Sequence, residues 1–187
     1  MPGLTRRQQR DRTRQHLLET TVACLVEHGY AGTTTQRIQR LADVSRGALL
    51  HHFRSKADLL AAAIGYIAER QLADIRAAAP STRRARLDAV RAAMSGPVFQ
   101  AGLELCMAAR TDEALRAALL PSQREIGMAV RELLAPDLPD HDPDAARTIH
   151  ESLLILLRGL ALTSALHDDA ALADAVLALW LDRLLPT

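Results

Sequence analysis

The chain has 187 residues, of which 49% are hydrophobic and only 3% aromatic, so its core must be built mainly from alanine and aliphatic side chains. That length allows one domain, or a small domain joined to a larger one. Arg158 interrupts the longest apolar run, Ser152 to Leu166, and the N-terminus carries scattered arginines instead of an apolar signal region. We therefore expect a cytoplasmic protein without a membrane partner. Its two cysteines, Cys24 and Cys106, suit a reducing compartment.

The charges are distributed unevenly along the chain. Residues 1–60 carry 10 basic and 5 acidic side chains, a net charge of +5, whereas residues 61–187 carry 13 basic and 17 acidic ones, a net charge of −4. A basic head on an acidic body favours contact with a polyanion. A solvated, frayed terminus explains the basic excess equally well. That excess is sharpest at Arg6, Arg7, Arg10, Arg12 and Arg14, which only Asp11 opposes.

Residues 7–28 predict a first helix, with Leu18, Val22 and Leu25 on one face. Gly29 is expected to end it, because glycine takes the left-handed cap conformation without penalty. A second, short helix follows, and either Thr33 or Thr34 can cap it. Its inner face is expected to hold Ile38, Leu41 and Ala42.

A tight turn at residues 43–44 separates the second helix from a third. Ser45 is expected to cap this third helix, which is short and ends near Phe53. Ser55 and Asp58 have the spacing of another capping box, which opens a long helix to about residue 79.

After a break at residues 80–82, the rest of the chain also predicts helices. Glycine, proline and acidic residues separate the stretches, and Pro121 is one of the separators. We find no internal repeat and no convincing β-strand, so the expected fold class is all-α. The predicted helices cover residues 83–95, 98–109, 112–119, 121–135, 144–166 and 169–185.

Two short helices joined by a tight turn, behind a longer supporting helix, predict a helix-turn-helix at about residues 34–53. In such a motif the second short helix enters the major groove of DNA. Leu49 and Phe53 are four residues apart and can pack inward, which leaves Arg46 and Gly47 facing out. Arginine can pair with O6 and N7 of guanine, and a glycine lets the backbone come close to DNA.

The segment "GYAGTTTQRIQRLADVSRGALLHHFRSKADLL" resembles the DNA-binding head of the TetR family of bacterial repressors. The preceding helix, "LLETTVACLVEHGY", is similar to the family's first helix, and the specific resemblance covers about residues 14–64. Two positions depart from the family pattern: Asp43 replaces the usual turn glycine, and Leu50 the usual tyrosine. The matching positions are Gly29, Tyr30, Thr34, Thr35, Val44, Ser45, Leu49, His52, Phe53, Ser55, Lys56, Leu59 and Leu60.

The resemblance implies which residues contact DNA. Thr35 and Lys56 are expected to bind phosphates and Arg46 to read a base, whereas Leu50 could touch only a thymine methyl. Each threonine could instead be a plain helix cap. The full predicted set is Thr34, Thr35, Gln36, Ser45, Arg46, Gly47, Leu50, His52 and Lys56.

The resemblance also implies a DNA-binding domain at residues 1–57 and a helical ligand-binding and dimerisation domain at 58–187. The segment Ser152 to Leu166 is apolar nearly all round, so it must be covered on every side, and the last helix carries a similar stripe. We expect a homodimer that forms through the last two helices. The DNA-binding heads of its two subunits would then read a near-palindromic operator. A purely internal core is the alternative.

Candidate effector-binding residues are apolar side chains joined by a few polar ones. They favour a small, mostly apolar effector, although most of them are expected to be ordinary core. Cys106 is expected to be a buried hydrophobe rather than a redox switch. The candidates are Met94, Phe99, Leu103, Cys106, Met107, Met128, Leu154 and Trp180, with Arg110, Ser152, Thr163 and His167 as polar contacts.

The leading hypothesis is a ligand-responsive repressor, with activation left open. The alternative is an all-helical small-molecule binding protein or enzyme that does not bind DNA. We find no Gly-rich phosphate loop, no G-x-S-x-G elbow and no H-E-x-x-H motif, and the histidines lack metal-ligand spacing. We therefore expect no catalytic activity, no metal and no cofactor.

Overall fold

The computed structural model describes residues 5–78, 80–137, 142–167 and 169–184, with the backbone alone at 74, 75, 77 and 78. Most of these residues are helical and none forms a strand, which confirms the predicted all-α fold. The helices are α1 Arg6–Gly32, α2 Thr35–Ala42, α3 Arg46–His52, α4 Lys56–Ala78, α5 Arg83–Ala93, α6 Gly96–Ala108, α7 Glu113–Leu134, α8 Pro143–Ser164 and α9 Ala170–Leu184, with a 3-10 turn at Ala135–Asp137.

The chain divides into two compact units. The first comprises Met1–Arg70 and Glu104–Gln123, and the second comprises Gln71–Leu103 and Arg124–Thr187. Helices α4, α6 and α7 therefore contribute residues to both units. These units describe packing, so the functional boundary between residues 57 and 58 stays a prediction.

The core of the first unit is built from leucines. Burying one leucine side chain contributes about 1.5–3 kcal/mol, so a set of this size holds α1 to α4 together. Thr21 is also fully buried, and its hydroxyl donates to the Leu17 carbonyl at 2.7 Å. The core side chains, each at most 1% exposed, include Leu17, Leu18, Leu25, Ile38, Leu49, Leu59, Leu60, Leu105 and Leu115.

The second unit has its own apolar cluster and a buried ion pair. Arg86 at the start of α5 binds Asp137, which is 6% exposed, and its Nε donates to Oδ2 at 2.9 Å. The bond to Asp137 links α5 to the 3-10 turn, and the same guanidinium also donates to the Ser81 carbonyl at 3.1 Å. The cluster comprises Leu87, Val90, Met94, Val130, Leu134, Leu153, Leu154, Leu157 and Leu177.

Gly29 interrupts α1, which agrees with the predicted end of the regular first helix, although a short helical segment follows to Gly32. The backbone angles of Gly29, φ 65° and ψ −178°, leave the helical region, yet the helix resumes and continues to Gly32. Thr33 then closes the helix, because its hydroxyl donates to the Gly29 carbonyl at 2.7 Å and its side chain is fully buried. Glycine permits the positive φ at low cost, which allows a kink as readily as a stop.

Pro121 lies inside α7, so the predicted break between two helices is wrong. The proline ring removes one backbone donor and leaves the carbonyl four residues earlier, at Ala117, without its helical partner. Both residues are exposed, so solvent can reach that carbonyl. Buried side chains on either side, Leu115, Leu119 and Val130, hold the helix continuous.

Candidate nucleic-acid interface

Side-chain caps fix the beginnings of α2 and α3. Thr34 has extended backbone angles, and its hydroxyl accepts from the Arg37 N–H at 3.2 Å. Ser45 does the same at α3, where its hydroxyl accepts from the Ala48 N–H at 3.1 Å. Of the two candidate caps of α2, Thr34 is therefore the one used.

Asp43 makes the turn between α2 and α3. Its φ of 51° and ψ of 47° lie in the left-handed region, which confirms that aspartate supports the turn where the family usually has glycine. The next N–H, of Val44, donates to the Gln39 carbonyl at 3.1 Å. The Asp43 N–H donates to the same carbonyl, so the last turn of α2 is hydrogen-bonded where the chain turns into α3.

Helices α2 and α3 contact each other and each buries apolar side chains. Ile38, Leu49 and Phe53 are at most 4% exposed, as predicted. Leu41 is 54% exposed, so its predicted inward position is wrong. At about 100° per residue, Leu41 and Ala42 fall on opposite sides of Ile38, and the packing follows Ala42.

The predicted DNA-contacting residues form a largely exposed set on the N-terminal turn of α2, on α3 and at the start of α4. Leu50 is 50% exposed, and a side chain added at Gly47 would meet only the Ser45 hydroxyl, at 3.9 Å. Their role in contacting DNA stays a prediction. Thr34, Gln36, Ser45, Arg46, Gly47 and Leu50 are exposed, whereas Thr35, His52 and Lys56 are half-buried.

The Lys56 side chain packs against Tyr30. Its ammonium lies 4.4 Å from the centre of the Tyr30 ring and 3.5 Å from the Tyr30 carbonyl oxygen. Burial lowers the pKa of Lys56, and the nearby carboxylate of Asp112 partly offsets that effect. In the absence of DNA, Lys56 therefore contacts Tyr30, and the predicted phosphate contact would replace or add to that interaction.

Tyr30, near the end of α1, connects that helix to α6 and to the residue before α7. Its backbone N–H donates to Glu104 Oε2 at 2.7 Å, and its hydroxyl donates to Asp112 Oδ2 at 3.2 Å. Burial, followed by the hydrogen bond with Asp112, raises the pKa of Tyr30. We call Tyr30, Lys56, Glu104 and Asp112 the Tyr30 junction. Sequence reasoning missed its two acids, since they lie 74 and 82 positions from Tyr30 and no local pattern marks them.

Basic side chains of α1 lie beside the end of α3. The guanidinium of Arg14 lies 5.4 Å from the centre of the Phe53 ring. The pKa of His52 is lowered by burial and then by His51, Arg10 and Arg14, while Asp11 opposes the effect. Sequence reasoning noted these arginines as charges but did not assign them to the site.

The candidate effector residues divide between the two units. In the second unit Met94 and Leu154 belong to the apolar cluster, and Phe99 and Trp180 pack against it. The indole N–H of Trp180 donates to the Ser152 hydroxyl at 3.1 Å. The remaining candidates of this unit are Leu103, half-buried, and Met128, Thr163 and His167, all exposed.

Three of the candidate effector residues, Cys106, Met107 and Arg110, belong to the first unit. All three are exposed, and Met107 is 63% exposed. The expectation that Cys106 is buried is therefore wrong. Within the described ranges no three His, Cys, Asp or Glu side chains form a group that could hold a metal ion. No helix in those ranges is both long and apolar enough to cross a membrane.

Fold and site together define an all-helical protein with an N-terminal helix-turn-helix. The sequence profile of the bacterial regulatory proteins of the tetR family matches residues 17–63. The HTH-type transcriptional regulator BetI of Paraburkholderia phymatum is 30% identical over 169 residues, which cover 86% of this chain and 85% of that protein. The chain belongs to the TetR family of bacterial transcriptional regulators.

Three further proteins resemble the chain to different extents. The HTH-type transcriptional repressor AcnR of Corynebacterium glutamicum is 32% identical over 127 residues, and the chain spans 64% of its length. The solved structure of the multidrug binding protein EbrR complexed with imidazole has 26% identity and a TM-score of 0.65, over 93% of this chain and 95% of that one. A TetR regulator from Haloarcula marismortui, at 23% identity and a TM-score of 0.73, supports the fold alone; it covers 92% of this chain and 97% of that one.

Proposed function

We propose that this protein is a cytoplasmic repressor that binds a near-palindromic operator as a dimer and is released by a small, mostly apolar effector. The observation that carries the proposal is the exposed face of α2 and α3, two short helices that begin at side-chain caps and bury Ile38 and Leu49 on their other side. A short helix presented in this way suits the major groove. Residues 1–57 form the DNA-binding domain in this proposal, and residues 58–187 the effector-binding and dimerisation domain.

Within the operator, the exposed residues of α3 read bases and the flanking ones hold phosphates. Arg46, exposed at the first position of α3, pairs with a guanine. Leu50 contacts a thymine methyl, since its half-exposed side chain cannot form a hydrogen bond. Thr35 and Lys56 bind phosphates on either side, and Lys56 exchanges its contact with the Tyr30 carbonyl for one with DNA.

Dimerisation through α8 and α9 follows from the apolar side chains that these helices leave exposed. Ile155 and Leu162 are seven residues apart on α8 and are 65% and 59% exposed. Leu172 and Leu179 have the same spacing on α9 and are 57% and 60% exposed. Two such stripes from each subunit form a four-helix interface, which sets the two heads about 34–36 Å apart or at a multiple of that distance.

Release by an effector requires that the effector prefer the state that does not bind DNA. The mostly apolar candidates Met94, Phe99, Leu154 and Trp180 favour an apolar effector, for which Ser152 supplies a polar contact. The Tyr30 junction joins α6 and α4 to the end of α1, which leads directly into the helix-turn-helix. A shift of α6 that removes Glu104 from the Tyr30 N–H changes the support of α2 and α3.

The test is selection of duplex fragments from random-sequence DNA by the full chain, followed by binding to the selected duplex at several salt concentrations. We expect a near-palindromic site and a steep loss of affinity with salt. The Arg46→Ala variant is expected to lose about 1–3 kcal/mol and to relax base preference at one position in each half-site. No enrichment, with no binding at low salt, overturns the proposed function.

A further inference from the structure

The first two turns of α1 are ordered as a helix and are not a frayed tail. Thr5 forms a capping box with Gln8: the Gln8 N–H donates to the Thr5 hydroxyl at 3.3 Å, and the Thr5 N–H donates to Gln8 Oε1 at 2.9 Å. The arginines that follow therefore have fixed positions around the helix axis.

Three of these arginines lie on the face of α1 that packs into the head. At about 100° per residue, Arg7, Arg10 and Arg14 fall within about 60° of one another, and farther along α1 the same face carries the buried side chains Leu17 and Thr21. Arg12 falls on the opposite side. The packing face thus continues, beyond the end of the apolar core, as a row of guanidinium groups, which we call the arginine ridge: Arg7, Arg10 and Arg14.

The ridge adjoins the recognition helix. Arg14 lies over the Phe53 ring at 5.4 Å, directly after the last turn of α3. Arg10 and Arg14 are both close enough to His52 to lower its pKa, together with burial and His51, while Asp11 acts in the opposite direction. Cations therefore come together on one side of α3.

Stability of the isolated protein does not explain the positions of Arg7 and Arg10. The positive end of a helix dipole is at its N-terminus, where acidic side chains are favourable, and the first turn of α1 has none. Neither Arg7 nor Arg10 forms an ion pair within the part of the chain that the structure describes. A row of exposed guanidinium groups without acidic partners has the chemistry of a phosphate-binding surface.

We propose that the arginine ridge binds the phosphate backbone of the same duplex that α3 reads, which extends the interface beyond the helix-turn-helix. This inference rests on the proposed function. Each guanidinium that neutralises a phosphate releases counterions, so the ridge contributes to affinity independently of the base sequence and increases the dependence of binding on salt.

The test compares two arginines of one helix in the full-length protein. The probe is a labelled duplex selected by the wild-type protein from random-sequence DNA, and its dissociation constant is measured across a range of sodium chloride concentrations. Arg10→Ala is expected to flatten the slope of log affinity against log salt by about 0.9 per head, since one phosphate contact is lost. Arg12→Ala removes the same charge on the opposite side and is expected to keep the wild-type slope.

Two further measurements separate the outcomes. Arg10→Lys is expected to restore most of the slope, because a phosphate contact needs the charge, and thermal unfolding should show that all three variants fold. If Arg10→Ala and Arg12→Ala have equal slopes of log affinity against log salt while the wild-type protein binds DNA, the proposed role of the arginine ridge is wrong and the proposed function is unaffected. If the wild-type protein does not bind duplex DNA at low salt, both the ridge proposal and the proposed function are wrong.

Discussion

Gly47 is the second residue of α3, and the space beyond its α-carbon is open. An added methyl would meet only the Ser45 hydroxyl, at 3.9 Å. Alanine is more favourable than glycine in a helix, so Gly47→Ala is expected to raise the free energy of unfolding by up to about 1 kcal/mol. If α3 enters the groove, the same methyl meets DNA and affinity falls. Thermal unfolding and binding to the selected duplex measure the two effects.

A matched control exists in α7. An added methyl at Gly127 would also meet a single atom, Arg131 Nη1, at 3.9 Å. Gly127→Ala is expected to keep the wild-type affinity for DNA. If Gly47→Ala binds DNA as well as Gly127→Ala, the backbone of α3 does not approach the duplex at Gly47.

His150 makes the stability of the second unit depend on pH. It is 6% exposed, and its Nε2 has no hydrogen-bond partner among the described residues. Burial, followed by the charge of Arg131, lowers the pKa of His150 below the value of 6.5 for an unperturbed histidine. The unfolded chain therefore takes up the proton first as the pH falls. The contribution of His150 to stability is complete above about pH 6.5 and is lost as the pH falls toward the folded-state pKa.

Urea unfolding between pH 8 and pH 5 tests this prediction. The free energy of unfolding of the wild-type protein should fall across that range more than that of His150→Gln, which cannot titrate. His52 also has a lowered pKa, so only the difference between the two proteins isolates His150. Parallel curves for wild type and His150→Gln would show that the imidazole is not held neutral by burial.

At the level of the elements, local signals predicted helix starts well. Thr34 and Ser45 each cap the helix that follows, because a hydroxyl acts on an N–H only three residues away. Predictions failed where distant packing decides the outcome. Leu41 is exposed because α2 packs on the side of Ala42, and Cys106 is exposed although the lack of cationic neighbours in the sequence suggested a buried thiol. Glu104 meets Tyr30 across 74 positions, beyond any local pattern.

Pro121 offers a test of how strongly packing overrides local preference in α7. Proline in a helix interior costs about 3 kcal/mol relative to alanine, through the lost hydrogen bond and the clash of its ring with the preceding turn. Pro121→Ala is therefore expected to raise the free energy of unfolding by up to about 3 kcal/mol, measured by thermal or urea unfolding. Pro97→Ala, in the first turn of α6, should change it little. A loss of stability in Pro121→Ala would mean that the ring itself fits a required bend.

At the scale of the whole molecule, the excess positive charge and the largest number of exposed apolar side chains fall in different parts of the sequence. The excess of positive charge lies in residues 1–60, while large exposed apolar side chains recur on α8 and α9. Contiguous exposed apolar surface on a folded chain marks an interaction site. This separation suits a protein whose head meets a polyanion and whose last two helices meet a second subunit.

Leu162→Glu tests that arrangement. The side chain is 59% exposed, so a carboxylate there leaves the fold of a single chain intact but is desolvated without a partner in an interface between copies of α8. The variant is expected to be monomeric by light scattering and to bind a two-half-site duplex more weakly than wild type, because one head covers only one half-site. Leu120→Glu, at a 39% exposed leucine of α7, should remain dimeric. A dimeric Leu162→Glu protein with undiminished DNA affinity would show that the subunits meet through another surface.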